Sequence, residues 1–383
     1  MKYKLKELLT IHNGKDYRQQ HKGIIPVYGT GGVMTHIDAY LYTGESILLP
    51  RKGSLSNIMY VNGPFWTVDT IYWTTVNTHL VNAKYLYYYL SLLDLSSRDT
   101  GSALPSMTYN SYYELDIDLP SLSVQQKVAQ SIDNIDQKIA INNTISKELE
   151  SMAKTIYDYW FLQFEFPNKD GKPYKSNGGK MVWNEQLKQE IPVGWKVDNL
   201  YKIADFINGI ACQKYRPLDN NHKLPVIKIT EMHDGFTSKT EFVRDSISKD
   251  HIINNGDILF SWSASLETMI WNYGKGGLNQ HIFKVIPKNG FSLHYVYQTL
   301  SSYIVNFKRM AEARKTTMGH ITQDHFKQSR IIIPPQDLIN KFENIVKKLY
   351  AEITTVDEES QQLKSLRDFL LPMLMNGQVT IKD

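Results

Sequence analysis

The sequence predicts an α+β protein in which two mixed α/β domains are separated by two long helices that pair as an antiparallel coiled coil, with the two halves related by a pseudo-twofold repeat. Three observations predict this fold. The length of 383 residues exceeds one ordinary domain of about 100–200 residues. Short motifs recur 214 residues apart. Apolar residues, with one polar exception, fall seven positions apart in the stretch that follows each motif.

The two predicted domains contain the same elements in the same order. Gly44-Glu-Ser-Ile-Leu-Leu-Pro-Arg51 is a Gly-acid turn followed by an apolar, strand-like run, and Gly256-Asp-Ile-Leu-Phe-Ser-Trp262 resembles it. Asp69-Thr-Ile-Tyr-Trp73 then corresponds to Gln280-His-Ile-Phe-Lys284. Because the polar residues at the turns differ, we predict related domains with diverged loops over residues 1–120 and 192–335.

A long helix is predicted after each domain, over residues 121–166 and 336–376. Each begins after a matched proline motif, Leu119-Pro120 or Ile333-Pro334. Seven-residue spacing held over five positions is typical of a coiled-coil seam, although two unrelated amphipathic helices are the alternative interpretation. The predicted seam residues are Val128, Ile135, Asn142, Leu149 and Ile156 in the first helix, and Phe342, Leu349, Val356, Leu363 and Leu370 in the second.

Asn142 is the one polar residue of the predicted seam. An amide that faces apolar partners fixes the register of a helix pair at some cost in stability. Asn142 could equally lie at a fraying or partner-facing point of its helix. The sequence leaves both interpretations open.

The net charge of +4 is unevenly distributed along the chain. Residues 167–335 contain 23 Lys and Arg against 15 Asp and Glu, whereas residues 1–120 contain ten of each. Neutralisation of phosphate by Lys and Arg dominates DNA affinity, so the second domain is suited to DNA, and the mildly acidic helices are suited to protein contact. Residues 167–191 are rich in Gly, Pro, Asn and Lys and predict an exposed linker, and residues 377–383 form a C-terminal tail.

The sequence contains no motif of a nucleotide-binding or catalytic site. It has neither a phosphate-binding loop nor a G-x-G-x-x-G stretch that opens a helix after a strand. His320 and His325 are five residues apart and on different faces of a helix, which argues against a zinc site, and the single cysteine, Cys212, excludes a disulfide framework. With no apolar signal region and no apolar run of about 18 residues, we expect neither secretion nor membrane spanning and assign the chain to the cytoplasm.

Three further stretches resemble the specificity subunit (HsdS) of Type I restriction-modification systems. They are Tyr159-Trp-Phe-Leu-Gln-Phe-Glu-Phe-Pro-Asn-Lys-Asp-Gly-Lys-Pro-Tyr-Lys175, Ile191-Pro-Val-Gly-Trp195 and Leu366-Arg-Asp-Phe-Leu-Leu-Pro-Met-Leu-Met-Asn-Gly377. The resemblance covers essentially the whole chain, strongly in the helices and linker and weakly in the domains. It implies that residues 1–120 and 192–335 are target-recognition domains of a non-catalytic DNA reader.

The resemblance also implies the partners. They are double-stranded DNA, two methyltransferase (modification) subunits docked on the helices, and endonuclease/translocase (restriction) subunits. S-adenosylmethionine, ATP and magnesium are then expected on the partner subunits, with no cofactor in this chain. A helix of about 40 residues is about 60 Å long, against about 34–36 Å for one DNA turn, so the expected target is interrupted, and it is asymmetric because the domains differ.

Candidate DNA-binding residues are polar or cationic side chains in Gly-flanked stretches, since such side chains reach groove edges and phosphates. In the first domain they are Thr30, Arg51, Lys52 and Ser54, and in the second they are Lys214, Arg216, Trp262, Ser263, Asn279, Gln280, His281, Arg314 and Lys315. For each of these residues, the alternative is an ordinary surface or turn position without base contact. Asn279-Gln280-His281 could be a structural cluster that ends a strand. For the whole chain, the alternative is a coiled-coil interaction scaffold without a DNA role.

Overall fold

The computed structural model describes residues 1–95, 105–263, 265–313, 321 and 323–381. The chain divides into two compact units: unit one comprises Met1–Ile139 with Leu363–Asp383, and unit two comprises Ala140–Gln362. The division falls inside both long helices. Each unit therefore contains one globular domain and part of each helix, whereas the predicted boundaries assign the helices to segments of their own.

Unit one is built on a six-stranded sheet. In chain order, its elements are β1 Lys2–Lys4, α1 Leu5–Leu8, β2 Leu9–Asn13, β3 Lys22–Gly29, β4 Gly32–Ile37, β5 Tyr42–Pro50, β6 Met59–Thr67, β7 Ile71–Val76, α2 Ala83–Ser91, α3 Tyr109–Tyr113, β8 Asp116–Asp118 and the start of the long helix α4 Leu122–Tyr157. The strand order of the sheet is β2-β7-β5-β6-β3-β4, and β3 runs parallel to β6. The terminal strand β1 pairs with β8.

The apolar run that predicted a strand in β5 is buried on both faces of this sheet. Ile47 and Leu49 pack into the cluster that includes α2, whereas Leu48 packs into a separate cluster with Phe65 and Ile71. Since successive side chains of a strand point to opposite faces, a strand covered on both sides reads as a continuous apolar run.

Unit two contains two four-stranded sheets. Its elements are β9 Met181–Asn184, β10 Gln189–Pro192, β11 Lys196–Asp198, β12 Ala204–Asn208, β13 Lys223–Ile227, α5 Ile229–Asp234, β14 Phe242–Arg244, β15 Ile252–Ile253, β16 Ile258–Ser261, β17 Glu267–Ile270, β18 Gly276–Leu278, β19 Ile282–Pro287, α6 Leu293–Ala313, α7 Gln323–Gln328, β20 Ile331–Ile333 and most of the long helix α8 Gln336–Met375. The sheet orders are β12-β19-β16-β17 and β14-β13-β18-β15. As β1 does with β8, β11 pairs with β20.

The two units share part of their strand topology. In unit one, Tyr72 of β7 lies between Asn13 of β2 and Leu49 of β5, and in unit two, Phe283 of β19 lies in the same way between β12 and β16. The parallel pairing of β3 with β6 recurs as that of β13 with β18. The predicted α+β fold with repeated domains is confirmed.

Helices α4 and α8 run antiparallel within unit two. The Asn142 Nδ2 atom contacts the backbone carbonyl of Val356, 214 residues away, whereas the Tyr157 ring lies 6.0 Å from that of Phe342. In unit one, Arg367 Nη1 donates to the Asp136 carboxylate at 2.9 Å. None of the ten predicted seam residues is exposed, and four of them are buried, namely Val128, Asn142, Phe342 and Val356.

Asn142 lies between the two helices and not at a fraying end. Its side chain is fully buried, and Nδ2 donates to the Glu359 carboxylate at 2.7 Å and to the Val356 carbonyl at 3.4 Å. The amide therefore pairs with atoms that only one alignment of the helices supplies, which favours the register-fixing interpretation.

The first long helix is shorter than the predicted range 121–166. It ends at Tyr157, and a π-helical turn, Asp158–Leu162, follows. The turn directs Phe161 into the core of unit two, where its ring lies 5.2 Å from those of both Tyr295 and Phe342. Burial of these aromatic rings offsets the loss of regular helical geometry.

The predicted linker 167–191 contains a β-hairpin. Strand β9 pairs with β10, and the Asn184 side chain accepts hydrogen bonds from the backbone N–H groups of Gln186 and Leu187. Ile191 anchors the hairpin, since it is only 2% exposed. Because Gly and Pro are typical of loops, the composition of this segment did not predict the two short strands.

Phe342 gives a direct test of the helix packing in unit two. We expect Phe342→Ala to destabilise the protein by about 3–5 kcal/mol, because it opens a cavity among the rings of Tyr157, Trp160 and Phe161. Phe369→Ala is the matched control on the same helix: Phe369 is 65% exposed, so the change should stay within about 0.5 kcal/mol. Denaturant unfolding of both variants measures the difference, and equal effects would contradict this description of the core.

Candidate functional site

One loop, here called the first loop, follows the first strand of the main sheet in each unit. It spans residues 14–21 after β2 in unit one and residues 209–222 after β12 in unit two. Both copies begin with a glycine that follows a strand-ending asparagine. A Cβ on Gly14 would clash with the Val68 carbonyl, and one on Gly209 would clash with the Asn279 carbonyl. Only glycine permits so close an approach of two backbone segments.

A second loop, the turn loop, lies directly before β7 or β19 and comprises residues 68–70 or 279–281. Val68 N donates to the Tyr28 carbonyl at 3.0 Å, and Asn279 N donates to the Ile227 carbonyl at 3.1 Å. The turn loop is thereby fixed to the end of β3 in unit one and of β13 in unit two. In each unit it lies beside the first loop.

The third segment is the chain that leaves β5 or β16. Arg51 N donates to the Thr70 carbonyl at 2.9 Å, and Trp262 N donates to the His281 carbonyl at 3.3 Å. These hydrogen bonds occupy equivalent places in the two units. Three segments thus meet at one end of the strands in each unit. Backbone hydrogen bonds hold them together, and their side chains differ between the units.

The structure brings three of the four predicted residues of unit one together at the Thr70 carbonyl. This oxygen accepts from Thr30 Oγ1 at 2.8 Å and from Lys52 N at 3.2 Å, in addition to Arg51 N. Thr30 and Lys52 line a cleft of about 810 Å³. Ser54 is exposed but lies outside the lining of this cleft.

The Arg51 side chain is half-buried. Its guanidinium lies 5.8 Å from the centre of the Tyr72 ring, and Nη1 donates to the Asp69 carbonyl at 3.4 Å. Lys52, by contrast, is exposed beside the cleft. A flexible ammonium in such a position suits a phosphate contact.

Arg18 lines the same cleft, and the sequence reasoning missed it. Its Nη2 lies 2.7 Å from an Asp16 carboxylate oxygen, and Nε lies 3.0 Å from the same oxygen. Hydrogen bonds from Arg18 lower the pKa of Asp16 to about 2, so Asp16 is ionised at neutral pH. The missed signal is the recurrence of Asn-Gly and Tyr-Arg in residues 13–18 and 208–216.

In unit two, Trp262, Gln280 and His281 form one cluster. Trp262 Nε1 donates to Asn208 Oδ1 at 3.1 Å, and the Trp262 ring lies 5.7 Å from the His281 ring. Gln280 Nε2 and His281 Nε2 are 3.3 Å apart. This cluster occupies the positions that Arg51, Asp69 and Thr70 occupy in unit one.

Asn279 is placed for a structural role. It is only 8% exposed, and its Oδ1 accepts from His281 N at 3.2 Å, which shapes the turn loop. Ser263 contributes its carbonyl to Ser261 Oγ at 3.1 Å and is half-buried. For Asn279, the structure favours the alternative of a polar cluster that ends a strand.

Two further predicted residues of unit two lie in an exposed loop. Lys214 and Arg216 are exposed in the first loop, and Arg216 lines a second cleft together with Lys223. Arg314 and Lys315 lie outside the described residues. Their assignment stays a prediction.

The described residues contain no metal-binding cluster and no membrane span. No three His, Cys, Asp or Glu side chains in the described ranges are close enough to hold a metal ion. Within the same ranges, no helix combines the length and the hydropathy needed to cross a bilayer. Cys212 is buried, which raises the pKa of its thiol to about 11 and leaves it protonated at neutral pH.

Comparison with known proteins identifies the family. The family model described as "Type I restriction modification DNA specificity domain" matches residues 1–151 and 192–365. Two relatives are named specificity subunits of Type I restriction enzymes. MjaIX from Methanocaldococcus jannaschii is 24% identical over 90% of this chain and 79% of its own length, and HindI from Haemophilus influenzae is 22% identical over 88% of each chain.

A solved structure has the same fold. The crystal structure of the Type I restriction-modification S subunit from M. genitalium matches with a TM-score of 0.59 and 14% identity, over 98% of this chain and 95% of that one. The chain belongs to the family of Type I restriction-modification DNA specificity subunits. Its role is DNA sequence specificity within such a system, and it is not itself the enzyme.

The glycine that opens the first loop provides a test of the site geometry. We expect Gly14→Ala to destabilise unit one by about 1–3 kcal/mol, because the new methyl group meets the backbone of Val68. Gly31→Ala is the matched control, since a Cβ there has no described atom within 4 Å. Thermal unfolding monitored by circular dichroism should separate the two variants, and a neutral Gly14→Ala would contradict the close approach.

Proposed function

We propose that each unit reads one half-site of an interrupted, asymmetric double-stranded DNA target. The observation that carries this proposal is the placement of different side chains on one scaffold. The equivalent hydrogen bonds of Arg51 and Trp262 hold the same three segments in place, yet the side chains beside them are Lys52 and Asp69 in one unit and Ser263 and Gln280 in the other. Two readers with one frame and different side chains recognise different sequences.

The length of the helices supports an interruption between the half-sites. Helices α4 and α8 contain 36 and 40 residues, which correspond to about 54 and 60 Å at 1.5 Å per residue. One DNA turn measures about 34–36 Å. Helices of this length suit half-sites separated by base pairs that neither unit reads.

The chemistry of the two loop clusters supports contact with DNA. The cleft of unit one brings Lys52 and Arg18 together with hydroxyl and carbonyl groups, and the cluster of unit two presents Gln280 and His281 beside Trp262. Cationic side chains neutralise phosphates, and amides or guanidinium groups form paired hydrogen bonds with base edges. The unit-one cleft offers both kinds of contact, and the unit-two cluster offers the amide of Gln280 for a base edge.

The proposal includes two methyltransferase subunits and endonuclease/translocase subunits as partners. Met152 on α4 and Leu366 on α8 are equivalent under the 214-residue offset, and they are 52% and 46% exposed. Equivalent exposed apolar positions suit two copies of one partner. In this proposal, S-adenosylmethionine, ATP and magnesium bind to the partner subunits, and the complex acts in the cytoplasm.

The DNA target itself provides the main test. We expect co-expression of this chain with a methyltransferase subunit of the same system to methylate an asymmetric motif with an unspecified central gap. Sequencing that detects methylated bases across a genome reads the motif directly, and expression of the methyltransferase subunit alone is the control. A continuous motif would contradict the two-reader proposal.

Substitutions in one unit should change one half-site only. We expect Arg51→Ala combined with Lys52→Ala to weaken recognition of the first half-site and to lower the slope of log affinity against log salt by about 0.9 for each phosphate that is no longer neutralised. The single variant Lys52→Ala tests the contribution of the exposed cation separately from that of the half-buried Arg51. The same salt titration on the methyltransferase complex measures both.

Gln280→Ala is the complementary variant. It should relax the base preference of the second half-site and leave the first unchanged, since its equivalent position in unit one is Asp69. If the Arg51/Lys52 variant retains full methylation efficiency and an unaltered motif, the assignment of the unit-one site is wrong.

A further inference from the structure

We propose that Arg18 reads a guanine base edge in the half-site of unit one. This inference rests on the proposed function and names a residue that carries the specificity of the first reader. The residues 1–120 contain equal numbers of cationic and anionic side chains, so their contacts with DNA depend on local arrangement. The cleft shared by Arg18, Thr30 and Lys52 is the place where cationic and polar groups converge.

The repeat places Arg18 and Arg216 in equivalent loops. Each follows a tyrosine within the first loop, and each loop opens with a glycine packed on the backbone of the turn loop. Both arginines are exposed and line a cleft. Both loops therefore carry a Tyr-Arg pair, with the arginine four residues after the opening glycine in unit one and seven residues after it in unit two.

The backbone on both sides of Arg18 is anchored. The Lys15 carbonyl accepts from Trp66 Nε1 at 2.8 Å, and Gln20 N donates to the Tyr17 carbonyl at 2.9 Å. The Tyr17 side chain packs against the cluster that contains Val27 and Trp66. The arginine thus extends from a fixed point on the cleft, and its side chain is 81% exposed.

Asp16 selects the edge that the guanidinium presents. Nε and Nη2 of Arg18 both point to the Asp16 carboxylate, at 3.0 and 2.7 Å, which leaves the edge formed by Nη1 and the second hydrogen of Nη2 facing away. Two parallel donors on one edge match the O6 and N7 acceptors that guanine presents in the major groove. Fixing this orientation before binding lowers the entropy that the contact must overcome.

The Asp16 carboxylate makes a simple phosphate contact less favourable for Arg18. A phosphate near Arg18 would also meet the negative charge of Asp16, which offsets part of the attraction. Lys52 lines the same cleft without a carboxylate partner in the described residues. We therefore assign the phosphate contact to Lys52 and the base contact to Arg18.

The test compares Arg18→Lys and Arg18→Ala with the unchanged chain, each in complex with the methyltransferase subunit. Lysine keeps the charge and loses the two-donor edge, so we expect discrimination for guanine at one position of the first half-site to fall by about 10- to 100-fold in both variants. The second half-site should remain unaltered. Asp16→Asn should reduce the same discrimination to a smaller extent, and Lys2→Ala, an exposed cation on β1, is the charge-matched control.

Sequencing of methylated sites and DNA binding at several salt concentrations are the two readouts. Affinity that falls equally for all sequences, with a salt slope reduced by about one, would make Arg18 a phosphate contact and overturn the proposal. A motif unchanged in both arginine variants would also overturn it. The absence of any sequence-specific methylation by the unchanged complex would instead count against the proposed function itself.

Discussion

Neither unit has a complete hydrophobic core without residues from both long helices. In unit one, Val128 and Ile132 of α4 share a cluster with Leu371 and Leu374 of α8. In unit two, Tyr157 of α4 shares a cluster with Phe342 and Val346 of α8. The helices are consequently part of each domain's folding unit, and a slip in their register would open cavities in the domain core as well as in the helix pair.

This constraint explains the polar residue in the seam. A fully apolar seam would tolerate shifts by one heptad, whereas the Asn142 amide finds the Glu359 carboxylate and the Val356 carbonyl in only one alignment. The Oδ1 atom of the same amide is buried without a partner in the described structure, which is a local cost to stability. Specificity of register, and not maximal stability, accounts for an amide at this point.

Features that depend on periodicity were predictable from the sequence, and features that depend on tertiary contacts were not. The seven-residue spacing through Val128 and Phe342 indicated the helices because a repeated pattern averages over many residues. The end of α4 at Tyr157 was not predictable, because the helical pattern continues through Ile156 while the aromatic residues beyond it are drawn into the core of unit two. The local sequence gives no indication of such a tertiary contact.

The candidate site shows the same limit. Polar stretches near turns single out residues such as Arg51 and Gln280, and the structure groups many of them because the turn loop and the strand ends adjoin. The same rule selects Asn279 although it is buried, since burial cannot be seen in a polar tripeptide. Arg18 lies in a loop without a phosphate-binding motif, and only the comparison of the two halves at Asn-Gly and Tyr-Arg singles it out.

The hydrogen bonds that build both sites come largely from the backbone, and this has a consequence for specificity. Thr70 and His281 accept through their carbonyl oxygens, so the residue types at these positions and at Arg51 or Trp262 can change without removing the bond. The side chains at the two sites differ, while the backbone hydrogen bonds recur. The exposed Asp16–Arg18 ion pair contributes little to stability. In the proposed contact with guanine, its role is to orient the Arg18 guanidinium. In the proposed reading of DNA, a new target requires only a few changed side chains, while the frame, the helices and their register remain the same.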